Sequence, residues 1–479
     1  MISFIISILV LIIGYFTYGK LVEKIFGVQE HRKTPAIRLR DDVDYMPLST
    51  WRVFMIQFLN IAGLGPIFGA IAGAMYGPAA FLWIVLGSIF AGAVHDYFSG
   101  MLSVRHDGLS ISEIVGIYLG SKMKHVMRFF TVILLIFVGT VFLVGPAKII
   151  DGMMGNLWGV WIWVSIILVY YILSTLLPID KLISKLYPIF GIAMLLMALG
   201  LLSALFFGNY QIPELIPENL SNMTTNPEET PLFPMLFVTI ACGAISGFHA
   251  TQSPLMARCI KNEKLGRKIF FGTMITEGIV ALIWAAAAMT FFGNVGELNA
   301  AMLENNNNAA WAANEISLNM LGGIGGILAL LGIVAAPITS GDTAFRSARL
   351  ILSDIFKLKQ TKIKNRLYLS LPLFMIAFGL TQMDFGIIWR YFAWSNQTLA
   401  TVVLWTITAY LIYENKAFWI TMVPAIFMTM VCSTYILIAP EGFQLANDLA
   451  YIGGSLITLS ITILFWIYTT NEKKVFAHL

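Results

Sequence analysis

PLFPMLFVTIACGAISGFHATQSPLMAR, residues 231–258, is apolar over the length of a bilayer crossing yet carries polar and helix-breaking residues at its centre. Gly243, Ser246, Gly247, His249, Thr251, Gln252, Ser253 and Pro254 all fall inside it. A break in a helix frees backbone N–H and C=O groups that hydrocarbon cannot satisfy. Such a break persists only where it lines a cavity or packs on protein. A second stretch has the same character. WRVFMIQFLNIAGLGPIFGAIAGAMY, residues 51–76, holds Gly63, Gly65, Pro66 and Gly69 in its middle, where helix propensity is poorest. Either stretch alone reads more readily as a Gly/Pro kink for close packing, so their placement in the chain decides the matter.

Of 479 residues, 58% are hydrophobic and only 12% charged, with a mean hydropathy of +0.80. Soluble domains carry about 25% charged residues, so an ordinary soluble protein is excluded. Crossing a bilayer takes roughly 20 apolar residues, and apolar length predicts about thirteen spans. They are 1–19, 52–76, 80–104, 125–150, 157–178, 186–208, 232–258, 269–292, 318–342, 367–383, 387–413, 418–439 and 446–469. No stretch is long and polar enough for a separate soluble domain. The net charge of +4 reads as loop bias, not as a nucleic-acid surface. The opening MISFIISILVLIIGYFTYG lacks a basic n-region and a small-residue cleavage site, so it reads as a retained first span. Cys242, Cys259 and Cys432 lie in or beside apolar runs with no metal-type spacing, and buried free thiols are expected.

Lysine and arginine test the span count independently. They cluster after spans one, three, five, seven, nine and eleven and at the C-terminus, whereas 76–79, 151–156, 209–231, 293–317, 384–386 and 440–445 contain none. The positive-inside rule then puts the N-terminus outside and the C-terminus in the cytoplasm. With span one peripheral, spans two to six and seven to eleven form two five-helix repeats of opposite orientation, each opening with a broken helix. Substrate and ion sites of inverted-repeat transporters sit between such breaks, near the midplane. The organisation expected is 1–51, a peripheral helix and basic cytoplasmic loop; 52–208, the first repeat; 232–413, the second; and 418–479, accessory helices.

The substrate is therefore expected around Gly63, Gly65, Pro66, Gly243, Ser246, Gly247, His249 and Gln252. Span nine ends in IVAAPITSGDTAFRSARL, which puts Thr339, Ser340, Asp342 and Thr343 at its cytoplasmic end. Such oxygen ligands suit a hard monovalent cation held with carbonyls around Ala62 and Gly63. The competing reading is an ordinary helix end with Asp342 paired to Arg346. Asp96 and Glu277 lie deep in spans three and eight, where a lone carboxylate is costly. Proton coupling through Asp96, Glu277 or His249 competes with plain interhelical hydrogen bonding. His95 and Asp96 are adjacent on a helix and face different directions, so spacing does not pair them. Lys148 and Arg390, near outer helix ends, either attract an anionic substrate or snorkel to headgroups.

Several of these stretches resemble the carbon starvation protein A (CstA) family. The motifs are VDYMP at 43–47, IAGLGPIFG at 61–69, AGAVHDYFSGMLSVRHDGLS at 91–110, ACGAISGFHA at 241–250 and SGDTAFRSARL at 340–350, with the Asn396-Gln397 pair in FAWSNQTLA. The resemblance adds Asn396 and Gln397 to the candidate substrate site. It implies an inner-membrane secondary importer of peptides or, in some members, pyruvate, grouped with the amino acid–polyamine–organocation superfamily. The fold class expected is thus an all-α integral membrane protein with about 13 transmembrane helices. They would form a LeuT-like 5+5 inverted repeat with one N-terminal and two C-terminal accessory helices. The chain departs from the family pattern in three ways. Gly65-Pro66 is followed by Gly69-Ala70 where members often have a second Gly-Pro, His95 stands where many relatives carry Gln, and the chain has fewer C-terminal helices. These leave the substrate open between peptide, amino acid and pyruvate.

A membrane-embedded enzyme using His95, Asp96 and Glu277 is the first alternative, but the polar groups are scattered and no HExxH-type spacing appears, so no catalytic or metal residues are assigned. A channel is the second, since breaks and cavities occur there too. The reading adopted is a secondary active transporter coupled to H⁺ or Na⁺, with no cofactor beyond that transported ion. Its partners are a small-molecule substrate and the lipid bilayer, with no nucleic acid; oligomeric state is left open.

Overall fold

The computed structural model describes residues 1–476 except 43, 156, 177, 178 and 361, with the side chains of 176, 179–186, 324 and 473–476 also left aside. Val43 of the VDYMP motif and the side chains of Lys181, Lys185, Lys473 and Lys474 lie outside the described residues. Every regular element among the described residues is helical.

The first pass is α1 (Ile2–Phe16) continued by α2 (Tyr18–Phe26), which ends at Gly27 in the left-handed conformation. The Glu214 carboxylate, from the long loop before the second repeat, accepts the N–H groups of Ile2 and Ser3 at 2.8 Å each. That ties the first pass to the repeats by satisfying donors a helix start leaves free. After the short α3 (Pro35–Arg38), the second pass runs as α4 (Thr50–Ile61), a break at 62–64, a π-helical turn over Gly65–Gly69, and α5 (Ala70–Ala74). The two halves bend by 53°. The third pass is α6 (Ala79–Gly87), a π turn over Ser88–Gly92, and α7 (Ala93–Arg105).

The long α8 (Ile111–Met153) is non-helical at Gly120, so an arm precedes the fourth pass; α9 (Val160–Leu176) and α10 (Ile179–Phe207) complete the first repeat. The second repeat opens with α11 (Leu232–Thr239) and α12 (Gly247–Ala257), separated by seven non-helical residues, 240–246. Next come α13 (Gly272–Phe291) and the outer α14 (Val295–Glu304). Then α15 (Ala309–Ala329), non-helical at Gly322, runs through a π turn at Leu330–Ala335 into α16 (Ala336–Phe356). The repeat closes with α17 (Ile363–Leu380) and α18 (Phe385–Tyr413), and α19 (Trp419–Ile438) and α20 (Asn447–Phe476) follow it.

The two repeats match in more than their opening breaks. In each, the helix leading into the third pass is bent at a glycine of positive φ, Gly120 at 87° and Gly322 at 62°. Residues with a Cβ rarely take that conformation. The third passes of the two repeats, α8 and α16, also pack together, and α18 lies along α8 as well.

Eight described helices are long and apolar enough to cross a membrane singly, nine when the bent second pass is included. The remaining passes of the thirteen are α9, the α11–α12 pair, α17 and α18. One is short, one is broken, one opens on Lys364 and Arg366, and α18 buries Ser395, Asn396, Gln397 and Thr401. Of these, α9 and α17 expose apolar side chains such as Ile166, Val169, Met375 and Ile376, whereas the α11–α12 pair and α18 bury their polar groups inside the bundle.

One boundary differs in a way that matters. The ninth span, expected over 318–342, bends at Gly322 and runs on to Phe356. Arg346 and Arg349 read as loop charges in the sequence, yet both are buried, and they donate to Ser174 O at 3.4 Å and Thr175 O at 3.1 Å. Those carbonyls belong to the last turn of α9, where cationic donors are favoured. Thr339, Ser340 and Asp342 are therefore inside a helix, not at its cytoplasmic end.

Candidate functional site

The gap in the seventh pass leaves backbone groups exposed at both of its ends, and side chains from two other passes satisfy them. Asn396 Oδ1 accepts the N–H of Phe248 at 2.7 Å and the Ser246 hydroxyl at 3.1 Å, capping the start of α12 from outside its own chain segment. Gln397 Nε2 donates to Phe237 O at 3.3 Å and Ala241 O at 3.2 Å, closing the end of α11. Trp83 Nε1 donates to Ile240 O at 3.3 Å and Ser88 Oγ to Gly243 O at 3.0 Å. Ser246 and Asn396 thus bond to the break itself, and of Gln397 only Oε1 is left without a partner.

The two broken passes meet at their breaks. A Cβ at Gly65 would overlap Cys242, and one at Gly247 would overlap the carbonyl oxygen of Asn396. Gly243 lies against Ala281 and the Pro66 Cα, and Gly63 lies beneath the Phe142 ring. Cys242, Cys259 and Cys432 are all free and buried. The structure thus brings Gly65, Pro66 and Gly243 to one crossing as close-contact points, whereas Gly63 packs on α8 and Ser246 and Gly247 on α18.

Beside this crossing four titratable side chains form a continuous buried line. Asp96 Oδ1 meets His95 Nδ1 at 2.8 Å, and Asp96 Oδ2 meets His249 Nδ1 at 2.8 Å. His249 Nε2 stands 3.4 Å from Glu277 Oε2, and all four side chains are 0% exposed. Adjacent Cβ atoms diverge around a helix, but the Asp96 carboxylate reaches an imidazole on either side, so spacing alone misjudged the His95–Asp96 relationship. The line joins α7, α12 and α13. Asp96, His249 and Glu277, read separately in the sequence, are one constellation.

The hydroxyl cluster of α16 reaches the other break. Ser340 Oγ donates to Leu59 O at 3.0 Å, in the last turn of α4 before Ala62, and also lies 3.2 Å from Ala336 O. Thr339 Oγ1 donates to Ala336 O at 2.6 Å, and Tyr187 OH donates to Thr339 O at 2.9 Å. Asp342 takes the Ser174 hydroxyl at 2.7 Å and lies 3.9 Å from Arg346, so its carboxylate serves the α9–α16 contact. Lys148 Nζ sits 4.8 Å over the Phe385 ring, and Arg390 Nε pairs with Glu441 at 3.1 Å.

The family described as carbon starvation protein CstA matches residues 1–160, 156–324 and 317–435. The chain belongs to the CstA family. An uncharacterized membrane protein of Haemophilus influenzae is 44% identical over 61% of this chain and 92% of its own length. The peptide transporter CstA of Bacillus subtilis is 26% identical, with 83% of each chain covered. The pyruvate/proton symporter BtsT of Escherichia coli is 25% identical over 59% of this chain and 48% of its own. Among solved structures, MhsT in complex with L-phenylalanine superposes with a TM-score of 0.58 at 12% identity, covering 86% of this chain and 99% of that one. A point mutant of the Eremococcus coleocola manganese transporter gives 0.52 at 13% identity, covering 89% and 95%. These likenesses show the LeuT-like fold expected from the paired breaks. This CstA-family chain is a multi-pass membrane protein and a secondary transporter of a small-molecule substrate.

Two buried amides ahead of the first break escaped the sequence reading. Gln57 and Asn60, in the last turns of α4 before the break, are 0% and 1% exposed, and none of their four side-chain polar atoms has a partner. Gln252 donates Nε2 to Thr251 Oγ1 at 2.9 Å and leaves Oε1 unpartnered. The available signal was an i, i+3 pair of amides in an apolar helix directly ahead of a break.

Proposed function

We propose that this CstA-family chain imports a small organic nutrient, a peptide, an amino acid or pyruvate, by alternating access with proton symport. It acts across the cell membrane, with its N-terminus outside and its C-terminus cytoplasmic. The orientation is supported by the basic loops. With Arg346 and Arg349 assigned to the helix interior, Lys357, Lys359, Lys362, Lys364 and Arg366 still mark that side. Proton coupling draws support from the relative named a pyruvate/proton symporter.

The observation that carries the reading is the Asp96–His249–Glu277 line. An ionised Asp96 only accepts, so with it both imidazoles carry a proton at Nδ1, each 2.8 Å from one carboxylate oxygen. His249 Nε2 then faces Glu277, and one proton belongs between them. Without it, Asp96 and Glu277 place two negative charges in a volume where even one is expensive. His249 rides on α12, a half-helix of the broken pass, whereas its two carboxylate partners ride on α7 and α13. Any rearrangement that shifts α12 alters both contacts and so changes the affinity for that proton. Substrate held between the breaks and the proton at His249–Glu277 thereby bias the same element.

Sodium in place of the proton is a second reading with one observation in its favour: Ser340 Oγ meets Leu59 O one turn from the Ala62 break. Proteoliposomes carrying the full chain test both. Labelled pyruvate, alanine and dialanine are offered under an imposed pH gradient, then under a Na⁺ gradient. Accumulation with an inward proton gradient alone is the expected result; no gradient-driven accumulation of any solute refutes secondary transport by this protein.

A further inference from the structure

Burial of a polar atom without a partner is uncommon in folded proteins, and each instance calls for a physical account. Around the two breaks such atoms concentrate on a few side chains. Helix geometry of about 100° per residue separates two sides of α4. Met55 and Phe58 lie on the side that meets Gly191 of α10, and Gln57 and Asn60 lie on the opposite arc. On its other flanks α4 packs along α12 and α13, the helices that carry Gln252, His249 and Glu277. The two amides therefore stand on the arc of the second pass turned from its contact with α10.

The orphaned atoms have a definite chemistry. For Gln57 and Asn60 both the oxygen and the nitrogen are unpartnered, so the choice of amide orientation does not change the count. Gln252 is fixed, because the Thr251 hydroxyl already donates to Phe248 O at 2.7 Å and can only accept from Gln252 Nε2. Gln397 is fixed as well, because its Nε2 serves two carbonyl oxygens. Among these four amides, the second pass is left with two donors, Gln57 Nε2 and Asn60 Nδ2, and two acceptors, Gln57 Oε1 and Asn60 Oδ1, and the seventh and eleventh passes with one acceptor each, Gln252 Oε1 and Gln397 Oε1. A keto acid anion carries acceptors only. It would serve the two donors and leave every one of those oxygens buried and unpaired. A solute with N–H groups as well as a carboxylate serves both sets.

We infer that Gln57 and Asn60 are substrate contacts of the second pass, and that their unpaired side-chain oxygens select an amine- or amide-bearing solute over a keto acid. This rests on the transport reading above and narrows it. Sites built to hydrogen-bond an N–H reject analogues that lack it by large factors, because the site's own groups are then left unpaired.

The test uses the purified full-length protein, with binding measured by titration calorimetry and stability by thermal denaturation. The probes are L-alanyl-L-alanine, L-alanine and pyruvate, and the variants are Gln57→Leu and Asn60→Leu. In the parent protein one of the two N–H-bearing probes binds about tenfold or more tighter than pyruvate. Each variant loses about tenfold for that probe, while its ligand-free melting temperature stays level or rises, because a buried unpaired amide has been removed. Pyruvate as the tightest ligand overturns the inference. So do variant affinities within about twofold of the parent, and so does a fall in melting temperature, which marks the amides as packing partners. In proteoliposomes, uptake of any solute with unchanged KM in both variants sinks this inference alone. Absence of all uptake by the parent sinks the transport reading beneath it.

Discussion

Asn396 and Gln397, neighbours on α18, close opposite ends of one gap: Asn396 Oδ1 takes the Phe248 N–H at the start of α12, and Gln397 Nε2 serves Phe237 O and Ala241 O at the end of α11. One acceptor and one donor, set side by side, hold the two halves of the seventh pass to a single helix. The LeuT-like architecture needs the break, and hydrocarbon forbids leaving it unsatisfied. This pair supplies the satisfaction from a neighbouring pass, so α11, α12 and α18 are coupled mechanically wherever the bundle opens.

The division of labour between the two amides sets an asymmetry. Asn396→Asp keeps an acceptor, and places it at a helix N-terminus where negative charge is favoured. Gln397→Glu removes the donor and aims a carboxylate at two carbonyl oxygens. The glutamate variant is therefore expected to be the less stable in thermal denaturation, by about 1–3 kcal/mol for a buried acceptor left unpaired. A reversed order of the two variants would show that the cap on α12, and not the closure of α11, carries the break.

Glu277→Gln makes the proton position opposite His249 permanently neutral. Substrate exchange across the membrane needs no net proton movement, so counterflow in this variant stays within about threefold of the parent, whereas accumulation driven by a pH gradient is lost. His249→Asn, which removes the atom facing Glu277 and alters the contact to Asp96, is expected to reduce both activities. The two assays run in parallel check this. Gradient-driven accumulation by Glu277→Gln at parental levels would remove Glu277 from the coupling path.

Ser340→Ala deletes the hydroxyl that reaches Leu59 O between α16 and α4. The loss of one buried hydrogen bond costs about 1 kcal/mol, and proton-driven uptake is expected to survive. Uptake is compared in Na⁺ and in choline media. A parent that responds to Na⁺ and a Ser340→Ala variant that does not would place the driving cation at the α4–α16 contact instead.

Legibility in the sequence followed the physics of each feature. The two breaks were readable because Gly65-Pro66 and Gly243 to Gly247 sit in apolar runs, where nothing but a functional or packing need tolerates them. The passes were readable from apolar length, with loop charge as a separate check on their count. The end of the ninth pass was not, because Arg346 and Arg349 look like loop residues until their carbonyl partners on α9, far away in sequence, are seen. The line from His95 to Glu277 was visible as separate members only, since contact between α7, α12 and α13 is a tertiary fact. Gln57 and Asn60 were passed over because a lone amide in an apolar helix usually bonds to a neighbouring helix. Only the absence of any partner singles these two out.

The contact of Gly65 with Cys242 yields the last expectation. A Cβ at Gly65 would overlap both the Cβ and the Sγ of Cys242, so trimming the thiol alone gives no relief. Gly65→Ala is therefore expected to prevent the two breaks from meeting, and Gly65→Ala with Cys242→Ala to fail in the same way. Cys242→Gly removes both overlapping atoms. Residue 242 lies in the non-helical gap between α11 and α12, where glycine carries no helix penalty. The double variant Gly65→Ala with Cys242→Gly should then recover a monodisperse, detergent-stable protein that Gly65→Ala alone does not give. Size-exclusion profiles and melting temperatures of the four proteins decide it. Rescue by Cys242→Ala to the same extent as by Cys242→Gly would show that the backbones, and not these two Cβ positions, set the distance at which the broken passes cross.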